Sequence, residues 1–151
     1  MSKHLEYKGI KIKKIPRLLR SLFDPRKTNA MAYGSQIYVS EKVYNSLKTK
    51  NPEPLHIAVL EHEITHLKRK KQIGKLRYSL KFWLSRKFRL QEELMADRAM
   101  MLYLKKRNSS FPIEKRARKL SSRLYLWMIS YREAKKKLTK MWKTSKIPQT
   151  S

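Results

Sequence analysis

The sequence predicts an α+β fold that is mostly helical, with a small antiparallel sheet near the N-terminus. Three observations carry this. Apolar residues recur at helical spacing over most of the chain beyond Asn51. The alternating or short apolar runs, residues 7–15 and the two runs flanking Gly34-Ser35, all lie ahead of Ser40. Glycine is scarce, with three in 151 residues, so the chain has few flexible joints and shows no repeat and no domain boundary. The expectation is one compact domain over residues 1–143, with 144–151 as a frayed tail.

Each element follows from local chemistry. Residues 7–15 alternate loosely, Ile10 and Ile12 against Lys11 and Lys13, and read as a short strand. Pro16 suits the first turn of a short helix over 17–23, which Asp24-Pro25 ends. Residues 29–33 and 36–39 flank the two-residue turn Gly34-Ser35 and read as a β-hairpin. Ser40 caps a helix reaching about Leu47. Asn51 caps and Pro52 opens the next helix, which runs to Ile73 with Gly74 as its C-terminal residue. Residues 76–106 are helical again, broken near 85–89. A loop over 108–111 leads to a helix opened by Pro112. Ser130 and Glu133 form a capping box for a last helix from Tyr131 to about Trp142.

The composition narrows the function classes. Hydrophobic residues make up 40%, which excludes wholesale disorder, while 38 Lys+Arg against 11 Asp+Glu give a net charge of +27. An ordinary neutral enzyme surface is excluded; a polyanion, an anionic membrane face or salt must offset the self-repulsion. Cysteine is absent, which excludes disulfides, Cys-ligated zinc, iron–sulfur clusters and thiol catalysis. Neither a signal peptide nor a transmembrane stretch is legible, so the expected location is cytoplasmic, free or peripherally bound to a membrane.

The chemistry is concentrated in His62-Glu63-Ile64-Thr65-His66, an H-E-x-x-H motif. On a helix, positions i and i+4 share a face, so both imidazoles can reach one metal ion while Glu63 projects beside them toward a polarised water. Ile57, Leu60, Ile64 and Leu67 would form the buried stripe of that helix. A catalytic zinc wants a third protein ligand and an open fourth position. No histidine follows His66, and the Gly and His positions of the extended motif hold Arg69 and Gln72, so a three-histidine site would need His4 or His56. A carboxylate is the better candidate. Five of the 11 acidic residues fall in two clusters, Glu61 with Glu63, and Glu92, Glu93 with Asp97. Glu93 and Asp97 are spaced i, i+4, so Glu93 can ligate while Asp97 accepts a hydrogen bond from a ligating imidazole. The plainer alternative is an ordinary salt bridge from Glu92 or Glu93 to Arg89 or Lys87.

Together these residues resemble the gluzincin metallopeptidases, in which H-E-x-x-H is followed by E-x-x-x-D. The resemblance is nearest to the branch of CAAX prenyl endopeptidases and HtpX-type heat-shock proteases, where the second motif is E-x-x-A-D, as in Glu93-Leu94-Met95-Ala96-Asp97. That branch carries an N-A-x-A stretch and a hydrophobic strand upstream, as in Asn29-Ala30-Met31-Ala32 followed by Ile37-Tyr38-Val39. In size the chain is more similar to the soluble minigluzincins. The resemblance spans about residues 29–101 and implies a zincin-like domain that binds one Zn2+ through His62, His66 and Glu93. It also implies Glu63 as general base, Asp97 behind a ligand, and residues 29–32 as a rim strand pairing with a protein or peptide substrate. Tyr125, Tyr131 or an arginine would stabilise the oxyanion.

Basic clusters at 68–71, 86–89, 105–107, 115–119 and 135–137 outnumber the acids available to balance them. Non-specific nucleic-acid binding through phosphates is the first expectation, and a polyanion-binding protein with a structural or vestigial metal site is the alternative function. Residues 76–90 mix Leu80, Phe82, Trp83, Leu84 and Phe88 with Lys and Arg. Such a stretch can lie on an anionic membrane; the preferred, plainer reading is a lid or core helix with Trp and Phe packed inside. Met95, Met100 and Met101 read as core, and Tyr33 and Tyr38 as a cross-strand pair.

Overall fold

The computed structural model describes residues 5–16 and 29–147. The expected helix over 17–23 and His4 lie outside the described residues, as do 148–151. The α+β class holds: among the described residues there are six α-helices, a short 3-10 turn and a four-stranded sheet.

Residues 7–15 are not one strand. β1 (Leu5–Tyr7) pairs antiparallel with β2 (Ile10–Lys14) across Lys8-Gly9, both at positive φ, 50° and 75°. That left-handed pair matches the twist of a tight hairpin. β3 (Ala30–Tyr33) and β4 (Gln36–Val39) form the expected hairpin, with Gly34 at φ 61°. Tyr33 and Tyr38 meet edge-on, their ring centroids 6.5 Å apart. The two hairpins join through β2 and β4, which run parallel with Ile12 opposite Ile37. The order is therefore β1-β2-β4-β3, and the sheet is mixed rather than antiparallel. Each hairpin is a local pairing that a periodicity displays. The join between them is not local, and it is set by Ile12, Ile37 and Val39 sharing one buried face. β3 is left as an edge strand.

α1 (Glu41–Leu47) is capped as expected: the Ser40 hydroxyl accepts from the Val43 amide. α2 (Pro54–Ile73) begins later than Asn51-Pro52 suggests, with Glu53 at its N-cap. Pro54 explains the shift, because the residue before a proline is pushed out of the helical region, and Glu53 is extended at ψ 127°. Gly74, at φ 92°, turns the chain into α3 (Lys75–Leu84). Ser85 then breaks the helix and caps α4 (Arg86–Lys106) by accepting from the Phe88 amide. α5 (Ile113–Leu120) and the 3-10 turn (Arg123–Tyr125) lead to α6 (Tyr131–Thr144), whose Ser130–Glu133 capping box is formed. The end of α6 is not frayed at residue 144: Ser145 is buried and its carbonyl accepts from Lys105 at 2.7 Å.

α2 packs against β3 and β4 and lies side by side with α4, and the core includes Leu60 and Ile64 of the one and Met100, Met101 and Leu104 of the other. Ile57 and Leu67 are only half-buried, while His56, His62, Glu63 and His66 are buried instead. Met95 is exposed rather than core. Arg69 ties the two helices through a forked pair with Glu92, its Nη2 2.8 Å from Oε1. Arg89 makes no carboxylate pair of the expected kind and instead donates to the carbonyls of Phe82 and Trp83 at the end of α3. Among the described residues no helix is long and apolar enough to cross a membrane.

Candidate metal centre

Helical geometry sets the first two donors. His62 and His66 are one turn apart on the inner face of α2, with Nε2 atoms 3.2 Å apart. α4 brings Glu93 against them: its Oε2 is 3.4 Å from His62 Nε2 and its Oε1 is 3.5 Å from His66 Nε2. All three residues are buried, and their nearest donor atoms lie within 4.8 Å of one another. Two ligands at 2.0–2.1 Å from a tetrahedral ion stand about 3.3 Å apart. The two imidazole nitrogens stand near that spacing and Glu93 turns one oxygen toward each, so the group could hold a metal ion.

The other imidazole nitrogens are already engaged. His62 Nδ1 is 3.2 Å from Asp97 Oδ1, and His66 Nδ1 is 3.0 Å from the Tyr78 hydroxyl. Both rings are thereby held with Nε2 toward the shared point, the arrangement that orients metal-binding histidines. Arg116 on α5 locks the carboxylates: its Nη2 is 2.5 Å from Glu93 Oε2, and its Nε is 2.7 and 2.9 Å from the two Asp97 oxygens.

Charge points the same way as distance. Glu93 and Asp97 face Arg116 in the interior, Glu63 is buried nearby and Lys119 is close to all three, so with neutral imidazoles three carboxylates meet two cations. Burial and Arg116 push His62 toward its neutral form, but the hydrogen bonds to Asp97 and Glu93 outweigh them and hold its pKa at about 9. His66 is lowered, chiefly by burial. Burial would raise Glu93, yet His62, Arg116 and His66 together keep it well below the usual carboxylate range.

The group opens onto a cleft of about 510 Å3. Glu63 lines it beside both histidines, and Ala30, Met31, Ala32 and Tyr33 of β3 form one wall. Asn29 stands just outside, lining a smaller adjoining cavity, with its carbonyl bonded by the Ser40 amide. A two-residue turn makes Tyr33–Gln36 a hydrogen-bonded pair, so by alternation the peptide groups of Ala30 and Ala32 point away from β4. Lys70 Nζ confirms the direction by donating to the Ala32 carbonyl at 3.3 Å.

The other expected residues divide. Tyr125 lines the cleft, and burial, with Glu93 nearby, raises its pKa, so the phenol keeps its proton. Tyr131 is exposed at the start of α6 and does not line the cleft. Glu61 belongs elsewhere, accepting from the Tyr7 hydroxyl at 2.6 Å. His56 faces Glu53, 3.4 Å away, so a three-histidine site involving it is not formed.

Sequence reasoning missed Tyr78, Arg116 and Lys119. Arg116 and Lys119 belong to the basic cluster 115–119, for which phosphate binding is the expectation, yet one is buried against two carboxylates and the other lines the cleft, its pKa lowered to about 8 chiefly by burial. A signal was present: Ile113, Arg116, Ala117 and Leu120 fall on one face, so a cation interrupts the apolar stripe of α5. No protein-family model, curated protein or solved structure matches the chain.

Proposed function

We propose that the chain is a zinc-dependent endopeptidase of gluzincin kind, acting on a protein or peptide laid along β3. One observation carries the reading. Two Nε2 atoms from α2 stand 3.2 Å apart on the wall of an open cleft, with one Glu93 oxygen from α4 turned toward each and Glu63 beside them. Zinc held by His62, His66 and Glu93 would supply a Lewis acid and lower the pKa of a water to about 7.

The remaining work falls to protein groups. Glu63 takes the proton of the attacking water and returns it to the leaving amine. Asp97 and Tyr78 fix the imidazole orientations, and Arg116 fixes Asp97 and Glu93. The protonated Tyr125 hydroxyl is the better-placed of the two tyrosines to donate to the tetrahedral oxyanion. An extended substrate pairs with the outward peptide groups of Ala30 and Ala32, displacing the Lys70 amine from the Ala32 carbonyl.

Metal analysis and a peptide-library cleavage assay test this directly. Purified protein should hold one zinc per chain, and Glu93→Ala should lose it. Glu63→Gln should keep the metal while cleavage falls by about 10²–10⁴-fold. Tyr125→Phe should keep the metal and cost about 10²–10³-fold in kcat. A chain that binds no zinc, or a Glu63→Gln variant that cleaves like wild type, overturns the proposal.

A further inference from the structure

α3 has two apolar faces, and only one of them has a partner. Tyr78 and Phe82 turn inward and stack at 5.8 Å, with Phe88 edge-on to Tyr78 at 5.6 Å and Phe82 edge-on to His66 at 6.4 Å. Leu76, Leu80, Trp83 and Leu84 turn outward and are 76%, 53%, 69% and 83% exposed. Their spacing is i, i+4, i+7, i+8, one continuous stripe. The expectation that Trp83 packs inside is therefore overturned, although Phe82 and Phe88 follow it.

A second apolar tip stands beside the stripe. Leu126 and Trp127, 45% and 60% exposed, follow Tyr125 in consecutive left-handed conformations at φ 54° and 46°. Such backbone is unfavourable for residues with side chains. Arg86 bonds the Met128 carbonyl and so holds this tip next to the α3–α4 corner. Trp83, Tyr33 and Tyr125 all line the cleft, so these surfaces share its rim.

The surrounding charge is of one sign. Lys75, Arg77, Lys81, Arg86 and Lys87 are exposed on and beside the stripe, and no acidic residue occurs between Glu63 and Glu92. A second copy of the chain would bring like charges together on molecules of net charge +27 each. Nucleic acid would engage the cations and leave the leucines without a partner. Leu and Trp flanked by Lys and Arg suit the interface of an anionic bilayer, where apolar side chains enter the acyl boundary and cations meet headgroups.

We infer that α3 and the Leu126-Trp127 tip dock the protein on an anionic lipid surface, with the cleft mouth held at that surface. The docking does not depend on the metal, so it is tested on zinc-loaded wild type and on Glu93→Ala alike. The probe is sedimentation with phosphatidylglycerol–phosphatidylcholine vesicles in about 1 M NaCl, where the screening length is about 3 Å and adsorption by charge alone is suppressed. Wild type and Glu93→Ala should remain bound, and brominated acyl chains should quench tryptophan emission, less so in Trp83→Phe. Combined Leu76→Gln, Leu80→Gln, Trp83→Gln and Leu84→Gln should lower affinity at least about 100-fold while keeping the far-ultraviolet dichroism and Tm of wild type. These are surface positions, and a variant that fails this folding check is replaced by Leu84→Gln with Trp127→Gln. Equal binding of wild type and the folded variant, or release of both by salt, overturns the inference. So does salt-resistant self-association in the absence of vesicles that the same variant abolishes.

Discussion

Arg116 and two imidazoles crowd Glu93, and this crowding makes metal uptake a proton exchange. Arg116 lies 2.5 Å from Oε2, with His62 and His66 at 3.4 and 3.5 Å. Without metal, His62 answers the local negative charge by holding a proton up to about pH 9. An ion binds only the neutral imidazole, so that proton must leave. Zinc titrations near neutral pH, in buffers of differing ionisation enthalpy, should report about one proton released per ion, falling away above pH 9. Apparent affinity should climb about tenfold per pH unit over the same interval. The sign for stability is opposite. The folded pKa of His62 lies above the ordinary 6.5, so its pairing stabilises metal-free protein fully below that pH and is lost as pH rises through 9. Metal-free protein should melt lower at alkaline pH, and zinc should reverse the trend; release of no proton near neutrality would show His62 already neutral. The same residues explain what the sequence could show. His62, Glu63 and His66 are legible because one helical turn fixes their relation, and Glu93 with Asp97 because a chain poor in acids places them one turn apart. Arg116, Lys119 and Tyr78 reach the site from α5 and α3 by tertiary packing alone, and a cation in a basic run looks like every other cation in it.

Two joints, Gly74 and Ser85, decide how α3 stands over the cleft. Ser85 is a side-chain cap, whereas Gly74 acts through its backbone, at φ 92° and ψ 134°. Nothing lies within 4 Å of the position a Cβ would take there, so a side chain meets no clash and its whole cost is conformational. Gly74→Ala should destabilise the fold by about 1–3 kcal/mol, read as a lower urea midpoint. A loss under about 0.5 kcal/mol would mean that the corner between α2 and α3 rearranges freely. Joints of this kind were legible: Gly74, the break at Ser85, the Ser40 cap, the Gly34-Ser35 turn and the Ser130–Glu133 box are all local chemistry. Local chemistry also misled where two local rules met. Asn51-Pro52 has the form of a helix start, but Pro54 forbids helical backbone at Glu53, and the helix waits for it. The parallel join of β2 with β4 has no local signature, which is why one correct hairpin and one strand, itself split at Lys8-Gly9, still gave the wrong sheet type.

Across the whole molecule the charge imbalance is sharper than composition suggests. Glu63, Glu92, Glu93 and Asp97 are buried, so four of the 11 acidic residues are withdrawn from the surface, while among the described residues Arg89 and Arg116 are the only buried Lys or Arg. Self-repulsion of this size opposes compaction, and burial within the site cannot relieve it, because the buried acids Glu92, Glu93 and Asp97 are already paired with Arg69, Arg116 and His62. Relief has to come from outside. Raising NaCl from about 0.02 to about 0.5 M should therefore raise Tm, with each kcal/mol of relieved repulsion worth about 2–4 °C in a chain of this size. Screening alone predicts that sodium sulfate and sodium chloride act alike at equal ionic strength, and that duplex DNA adds nothing. Non-specific phosphate binding predicts more: DNA should stabilise beyond salt at low ionic strength. Its affinity should then fall about 10³–10⁵-fold between 50 and 200 mM salt if six to ten phosphates are engaged. Vesicle docking through α3 survives the salt that strips DNA, so one titration separates the two uses of the same charge. A Tm indifferent to salt would show that the lysines already lie too far apart to repel, and the search for a polyanion would lose its physical motive.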